Sequence, residues 1–242
     1  MTRGVATLEG EVRQTCVVER GSEEAELLEA RAAFYEMLAS LYFKPLTQEQ
    51  IDAMAVADFS VYAQLNEECA EGAEDMLRYL SRRNSDTRRA LAVDFTGAFA
   101  GTSAYEGKVA VPFESVFTSE EGLMYRDAYV EVFTTLKSEQ VKRREGLDWP
   151  DDHLSFMFDF LAILSRRAKS RLLEGDVAQA RHNIEVSRDF MDAHILSWFE
   201  DFAALAGKIL ETRFYHGVIK VTRGFLAFDR GLADELLAGW VS

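Results

Sequence analysis

Only three prolines, Pro45, Pro112 and Pro150, interrupt the 242 residues of this chain. Proline is the strongest helix breaker, so the runs between them can hold helices of twenty residues or more. Those runs carry apolar residues at three- and four-residue steps, the signature of an amphipathic helix. From Glu23 to Phe43 the stripe is Leu27, Arg31, Phe34, Leu38 and Leu41, and Lys44-Pro45 ends it. Gln48 to Leu65 reads as one or two short helices, and Glu68–Ser81 and Asp86–Ala100 as two more. The second of these carries Leu91, Phe95, Ala98 and Phe99 on one side. A further helix starts near Gly122 or Asp127 and runs to about Arg144. Asp151–Leu173 is apolar over most of its circumference at the start, as expected of a buried central helix that Gly175 ends. Ala178–Glu211 holds the stripe Met191, Ile195, Trp198, Phe199, Phe202, Leu205, Ala206 and Ile209, and Phe214–Phe228 repeats the pattern. No strand-like alternation of useful length appears. The expectation is an all-α fold: one helical-bundle domain of about nine helices over residues 23–242, preceded by a loose extension over 1–22.

Residues 101–121 break the pattern. Gly101, Gly107 and Pro112 sit among small and polar residues there, which predicts a long internal loop. Long loops inside compact domains carry function more often than not, and they also permit a domain-swapped dimer beside a monomer.

Charge narrows the partner. Lys and Arg number 27 against 41 Asp and Glu, a formal net charge of −14. That field repels a phosphate backbone, which excludes nucleic acid, and attracts a basic peptide; it also serves plain solubility. Cys16 and Cys69 are too few and too far apart for a disulfide framework or a zinc site. No apolar run approaches a membrane span, and the N-terminus lacks the apolar core of a secretory signal, so the chain is expected in the cytoplasm and not as an integral membrane protein.

No phosphate-cradling glycine motif and no serine nucleophile elbow occurs. Of four histidines, His182 stands three residues before Glu185, one metal-ligand pair where a di-iron bundle needs two such units. His194 lies one step off an apolar stripe and reads as a packing residue. Asp148-Trp149-Pro150-Asp151-Asp152-His153 gathers aromatic, acidic and imidazole groups where a loop meets a helix. Helix capping explains one or two of its aspartates; a surface for an apolar and cationic ligand explains the whole cluster. Four arginine pairs, Arg82-Arg83, Arg88-Arg89, Arg143-Arg144 and Arg166-Arg167, are internal and fall on helices, so they are no export signal and read as solvated faces.

The order of these motifs resembles the TorD/DmsD/NarJ family of redox-enzyme maturation chaperones. RAAFYEMLASLYFKPLTQEQ (31–50) is similar to the family's opening helix, and DFTGAFAG (94–101) to its aromatic-x-x-Leu-Phe motif. VPFESVFTSEEGLM (111–124) resembles its Pro-Tyr-Glu-Ser-Val-Tyr loop, and GLDWPDDHLSFMFDFLAIL (146–164) its Glu-Pro-x-Asp-His motif and central helix. Residues 194–229 look like its closing helix pair. Ala98, Trp149 and Met157 depart from the family pattern, which bears on the identity of the client. The resemblance implies a non-enzymatic chaperone without cofactor or metal. Its partner would be the precursor of a molybdopterin-dependent reductase or dehydrogenase carrying a twin-arginine leader, held until cofactor is inserted. Positions carried over from the family's client-binding regions are Phe95, Phe99, Pro112, Glu114, Ser115, Pro150, Asp152 and His153, with Trp149 and Asp151 added by proximity. The expected geometry is a groove near Phe95, Phe99 and Trp149 rimmed by Glu114, Asp151 and Asp152. The rival reading is a helical metal-dependent hydrolase using Asp151, Asp152 and His153.

Overall fold

The computed structural model describes residues 5–119, 122–125, 127–142 and 149–240. Among these, eleven helices and no strand occur: α1 (Val5–Phe43), α2 (Gln48–Val56), α3 (Ser60–Ala63), α4 (Glu67–Leu80), α5 (Thr87–Ala98), α6 (Glu114–Thr118), α7 (Asp127–Ser138), α8 (Leu154–Leu173), α9 (Val177–His194), α10 (Phe199–Ile209) and α11 (Arg213–Gly239). Helix therefore begins at Val5, well before Glu23. No proline lies between them, and a formed helix propagates far more easily than it nucleates. The chain exceeds the expected nine helices because α3 and α6 are single turns, too short to show a period, and because the stripe after Ala178 is broken.

That break has a visible cause. Trp198 Nε1–H donates to the His194 carbonyl at 2.5 Å, taking an acceptor that a continuous helix would offer to a backbone amide. The chain turns through Ile195–Trp198 and restarts as α10. Other boundaries follow capping chemistry. Thr47 and Gln50 form a reciprocal capping box at α2, and Asn66 caps α4 through the Cys69 amide. Gly175, at φ +78°, closes α8.

The body is built by α1 against α8, α8 against α9, and α11 against both α9 and α4. One core runs through these elements and holds Tyr35, Tyr42, Phe158, Phe202, Phe214 and Tyr215, all essentially sealed from solvent. A smaller one gathers Leu28, Ala168, Ala180, Ile184, Leu236 and Leu237 at the far end, which explains why α11 continues past Phe228. Helices α4 and α11 meet backbone to backbone. A Cβ at Gly72 would lie 2.7 Å from the Gly217 carbonyl oxygen, and one at Gly217 would lie 2.6 Å from that of Gly72.

Buried charge ties the same helices together. Arg31 Nε and Nη2 donate to the two Asp229 carboxylate oxygens at 2.6 and 2.8 Å, and its remaining donors reach Ser165 and Ser187. Tyr35 donates its hydroxyl to the same carboxylate. Four helices, α1, α8, α9 and α11, converge on one guanidinium.

Candidate functional site

The segments 112–115 and 150–154 lie side by side and interlock. The Glu114 amide donates to the Asp152 carbonyl at 3.0 Å and the Leu154 amide to the Pro112 carbonyl at 2.9 Å, framing an isolated bridge between Phe113 and His153. The Asp152 carboxylate accepts the Ser115 amide at 2.9 Å, so it caps the first turn of α6 from another segment. His153 is the N-cap of α8: its Nδ1 accepts the Ser155 amide at 3.1 Å. An accepting Nδ1 places the proton on Nε2, and burial pulls the imidazole's pKa down to about 3. His153 is a neutral structural cap.

Glu114 is buried as well, and both of its carboxylate oxygens lie 3.2 Å from His194 Nδ1 on α9. Burial raises the Glu114 carboxyl above its ordinary range, and the His194 contact opposes that rise. Ser115 Oγ, Asp152 Oδ1, His153 Nε2 and Ser155 Oγ lie buried without a hydrogen-bond partner. Asp151 is 5% exposed.

Pro112, Glu114, Ser115, Trp149, Pro150, Asp151, Asp152 and His153 thus come together, while Phe95 and Phe99 do not join them. Each of those two is 2% exposed. Phe95 packs on Phe99 and Tyr215, and Phe99 on Tyr42, Phe202 and Tyr215. Trp149 packs instead on Phe43, Phe113 and His153 and stays 38% exposed. The expected groove shared by Phe95, Phe99 and Trp149 is corrected on this point. Phe95 on α5 and Phe99 at its C-cap both face the core, because the packing between α5, α10 and α11 needs both rings.

The structure gives the hydrolase reading no support. Asp152 and His153 are fully buried in capping roles, and among the described residues no group of three or more His, Cys, Asp or Glu side chains could hold a metal. His182 meets Glu139 at 3.6 Å, while Glu185 pairs with Arg181 at 2.9 Å.

Sequence reasoning missed the outward face of α7. Ala128, Val132 and Leu136 supply its buried face, yet Val130 and Phe133 are 56% and 45% exposed. Leu123, Met124 and Tyr125, just before the helix, are also exposed. Rings at 125, 129 and 133 follow one another at centroid separations of 5.3 and 6.3 Å. The four-residue spacing of these aromatics, beside a complete second apolar stripe, was the available signal.

A family model described as nitrate reductase delta subunit matches residues 63–204. The chain belongs to that family. It is 29% identical over 209 residues to the chaperone protein TorD of Vibrio vulnificus (strain YJ016), covering 83% of this chain and 93% of the relative. It is 28% identical over 222 residues to the chaperone protein TorD of Vibrio cholerae serotype O1, covering 88% and 97%. Among solved structures, a provisionally assigned redox enzyme maturation protein from Archaeoglobus fulgidus is 23% identical, with a TM-score of 0.43 over 82% of this chain and 93% of that one. The family match spans α4 to α10 and so includes both interlocked segments.

Proposed function

We propose that the chain is a maturation chaperone for the catalytic subunit of a molybdopterin oxidoreductase, and that in the cytoplasm it holds the subunit's twin-arginine leader until cofactor is inserted. The observation that carries the reading is the exposed apolar face of Tyr125, Val130 and Phe133, with half-buried Tyr129 between them, on an otherwise acidic protein. A helix whose core-facing stripe is already complete gains nothing from a second apolar face in water; a partner explains it. Helix α7 packs against α6, and its Glu131 lies close enough to Glu114 to act on that carboxyl electrostatically. Asp127 and Glu131 are exposed on the same helix and supply negative charge suited to an arginine pair. Trp149 offers a further exposed ring on the interlocked segments.

Burying three apolar side chains contributes roughly 5–9 kcal/mol gross at about 1.5–3 each. Ordering a flexible leader takes back roughly 2–5 kcal/mol. The remainder suits reversible binding, as a hand-over requires.

The test is calorimetric titration of the chain with a synthetic peptide bearing an Arg-Arg pair followed by an apolar segment. The wild type is expected to bind, and Phe133→Ser to weaken binding about tenfold or more without loss of thermal stability. Equal affinities for Phe133→Ser, Tyr129→Ser and wild type would remove α7 from the site; no binding by wild type would reject leader recognition.

A further inference from the structure

Two histidines lie buried where α6, α8 and α9 meet, and they differ in their freedom to carry a proton. His153 is held neutral, because its Nδ1 accepts the Ser155 amide in a site sealed from solvent. His194, which the sequence presents as a packing residue, faces a carboxylate instead. Both Glu114 oxygens lie 3.2 Å from its Nδ1, with Glu114 4% and His194 8% exposed. The His194 ring packs on Phe190 at 5.0 Å, and its backbone carbonyl accepts the Trp198 indole. Held in this way, the pair can gain or lose a proton without leaving its place.

The charges around this pair are lopsided. Besides His194, the Glu114 carboxyl feels Asp152 of the neighbouring segment and Glu131 of α7, both acidic. Among the described residues, His194 is the cation paired with Glu114. Of the arginines singled out in the sequence, Arg166 is held by Glu29 and Glu36 and Arg167 donates to the Glu139 carbonyl; Arg143 and Arg144 lie outside the described residues. A nearby carboxylate favours the protonated form of an imidazole, and histidine is the side chain whose charge changes between about pH 5 and 8. Glu131 is exposed on α7, the helix that carries the apolar face. A cation arriving there meets Glu131 first, and its field reaches Glu114 and His194 behind it.

We propose that docking of the cationic leader on α7 expels a proton from the Glu114–His194 pair, so that client and proton compete for this corner of the protein. The inference rests on the leader reading and adds its regulation. Two effects act with one sign. A guanidinium paired with Glu131 cancels negative charge that holds a proton on the imidazole, and the same cation favours the ionised form of Glu114. Both send a proton to solvent. Linkage makes the coupling reciprocal: a proton on the pair weakens the leader's hold, and a bound leader weakens the proton's. The leader therefore binds more tightly as pH rises through the imidazole range, and the complex loosens as pH falls.

The test is calorimetric titration of the full chain with the Arg-Arg peptide, in phosphate and in Tris, at about pH 7, where exposed carboxylates stay ionised and imidazoles titrate. The two buffers differ in ionisation enthalpy, so the difference in heat counts protons. Wild type is expected to release a fraction of a proton on binding. Its affinity should rise about fivefold from about pH 6 to about pH 8, the lower end of ordinary coupling between sites. His194→Asn keeps a donor where Nδ1 stands and should bind with no release and a flat pH profile. Glu131→Gln, an exposed change that leaves the core alone, should reduce the release, and His182→Gln, at an exposed ring, should match wild type. Equal heats in the two buffers, or proton uptake, overturn the inference and leave leader recognition standing. Undiminished release in His194→Asn also overturns it, and so does undiminished release in Glu131→Gln, which decides the matter if the buried substitution unfolds the chain. No binding at all overturns both readings.

Discussion

Arg31 on α1 and Asp229 on α11 stand 198 residues apart in the chain and form an ion pair at 2.6 Å with both side chains essentially sealed from solvent. Removing one partner strands a buried charge, whereas removing both does not. Asp229→Ala is therefore expected to lower unfolding stability by roughly 3–5 kcal/mol in urea denaturation. The pair Arg31→Met with Asp229→Leu should cost less than Asp229→Ala alone. Losses that simply add would show that the two charges do not act as a unit.

The cap at α8 makes the protein sensitive to acid. The unfolded His153 imidazole titrates near 6.5, and the folded one near 3, so between those values the unfolded chain binds the extra proton. Stability from this group is intact above pH 6.5 and declines as pH falls towards 3, at about 1.4 kcal/mol per pH unit within the window. Glu114 acts with opposite sign. Its folded pKa is raised, so it disfavours the fold as pH rises through the carboxylate range. His153→Asn keeps an acceptor for the Ser155 amide and should flatten the decline between pH 6 and 4 in chemical denaturation; an unchanged slope would place the acid sensitivity elsewhere.

Helices α4 and α11 approach too closely for side chains at their crossing. Gly217→Ala puts a methyl 2.6 Å from the Gly72 carbonyl oxygen, and rigid backbone cannot give way as a side chain would. The expected cost is about 1–3 kcal/mol, read as a lower melting temperature. Gly207→Ala, where nothing lies within 4 Å, should be neutral or slightly stabilising through helix propensity.

Phe95 and Trp149 separate stability from recognition. Phe95→Ala empties a sealed site and should cost roughly 3–5 kcal/mol, leaving peptide affinity of the folded protein unchanged. Trp149→Ala touches a ring 38% exposed and is expected to weaken leader-peptide binding several-fold with a small stability change. A reversal of the two effects would return the client site to the core aromatics.

The three- and four-residue spacing of apolar side chains determined by itself that this chain is helical, and Pro45 and Gly175 fixed two of its boundaries, because backbone sterics act locally. The motif order pointed to the family, and the segments 112–115 and 150–153 were legible as places of interest. Their roles were not. Whether an aspartate or histidine caps a helix or meets a ligand depends on what lies across from it, and Ser115 reaches Asp152 only after both segments have folded. The same reason hid Asp229 as the partner of Arg31, although an arginine on an apolar stripe signals a buried carboxylate somewhere. It also hid the break at Trp198, set by one indole hydrogen bond. Spacing decides which face of a helix is apolar; only the assembled bundle decides which apolar face is left facing water, and that divides Phe95 from Phe133.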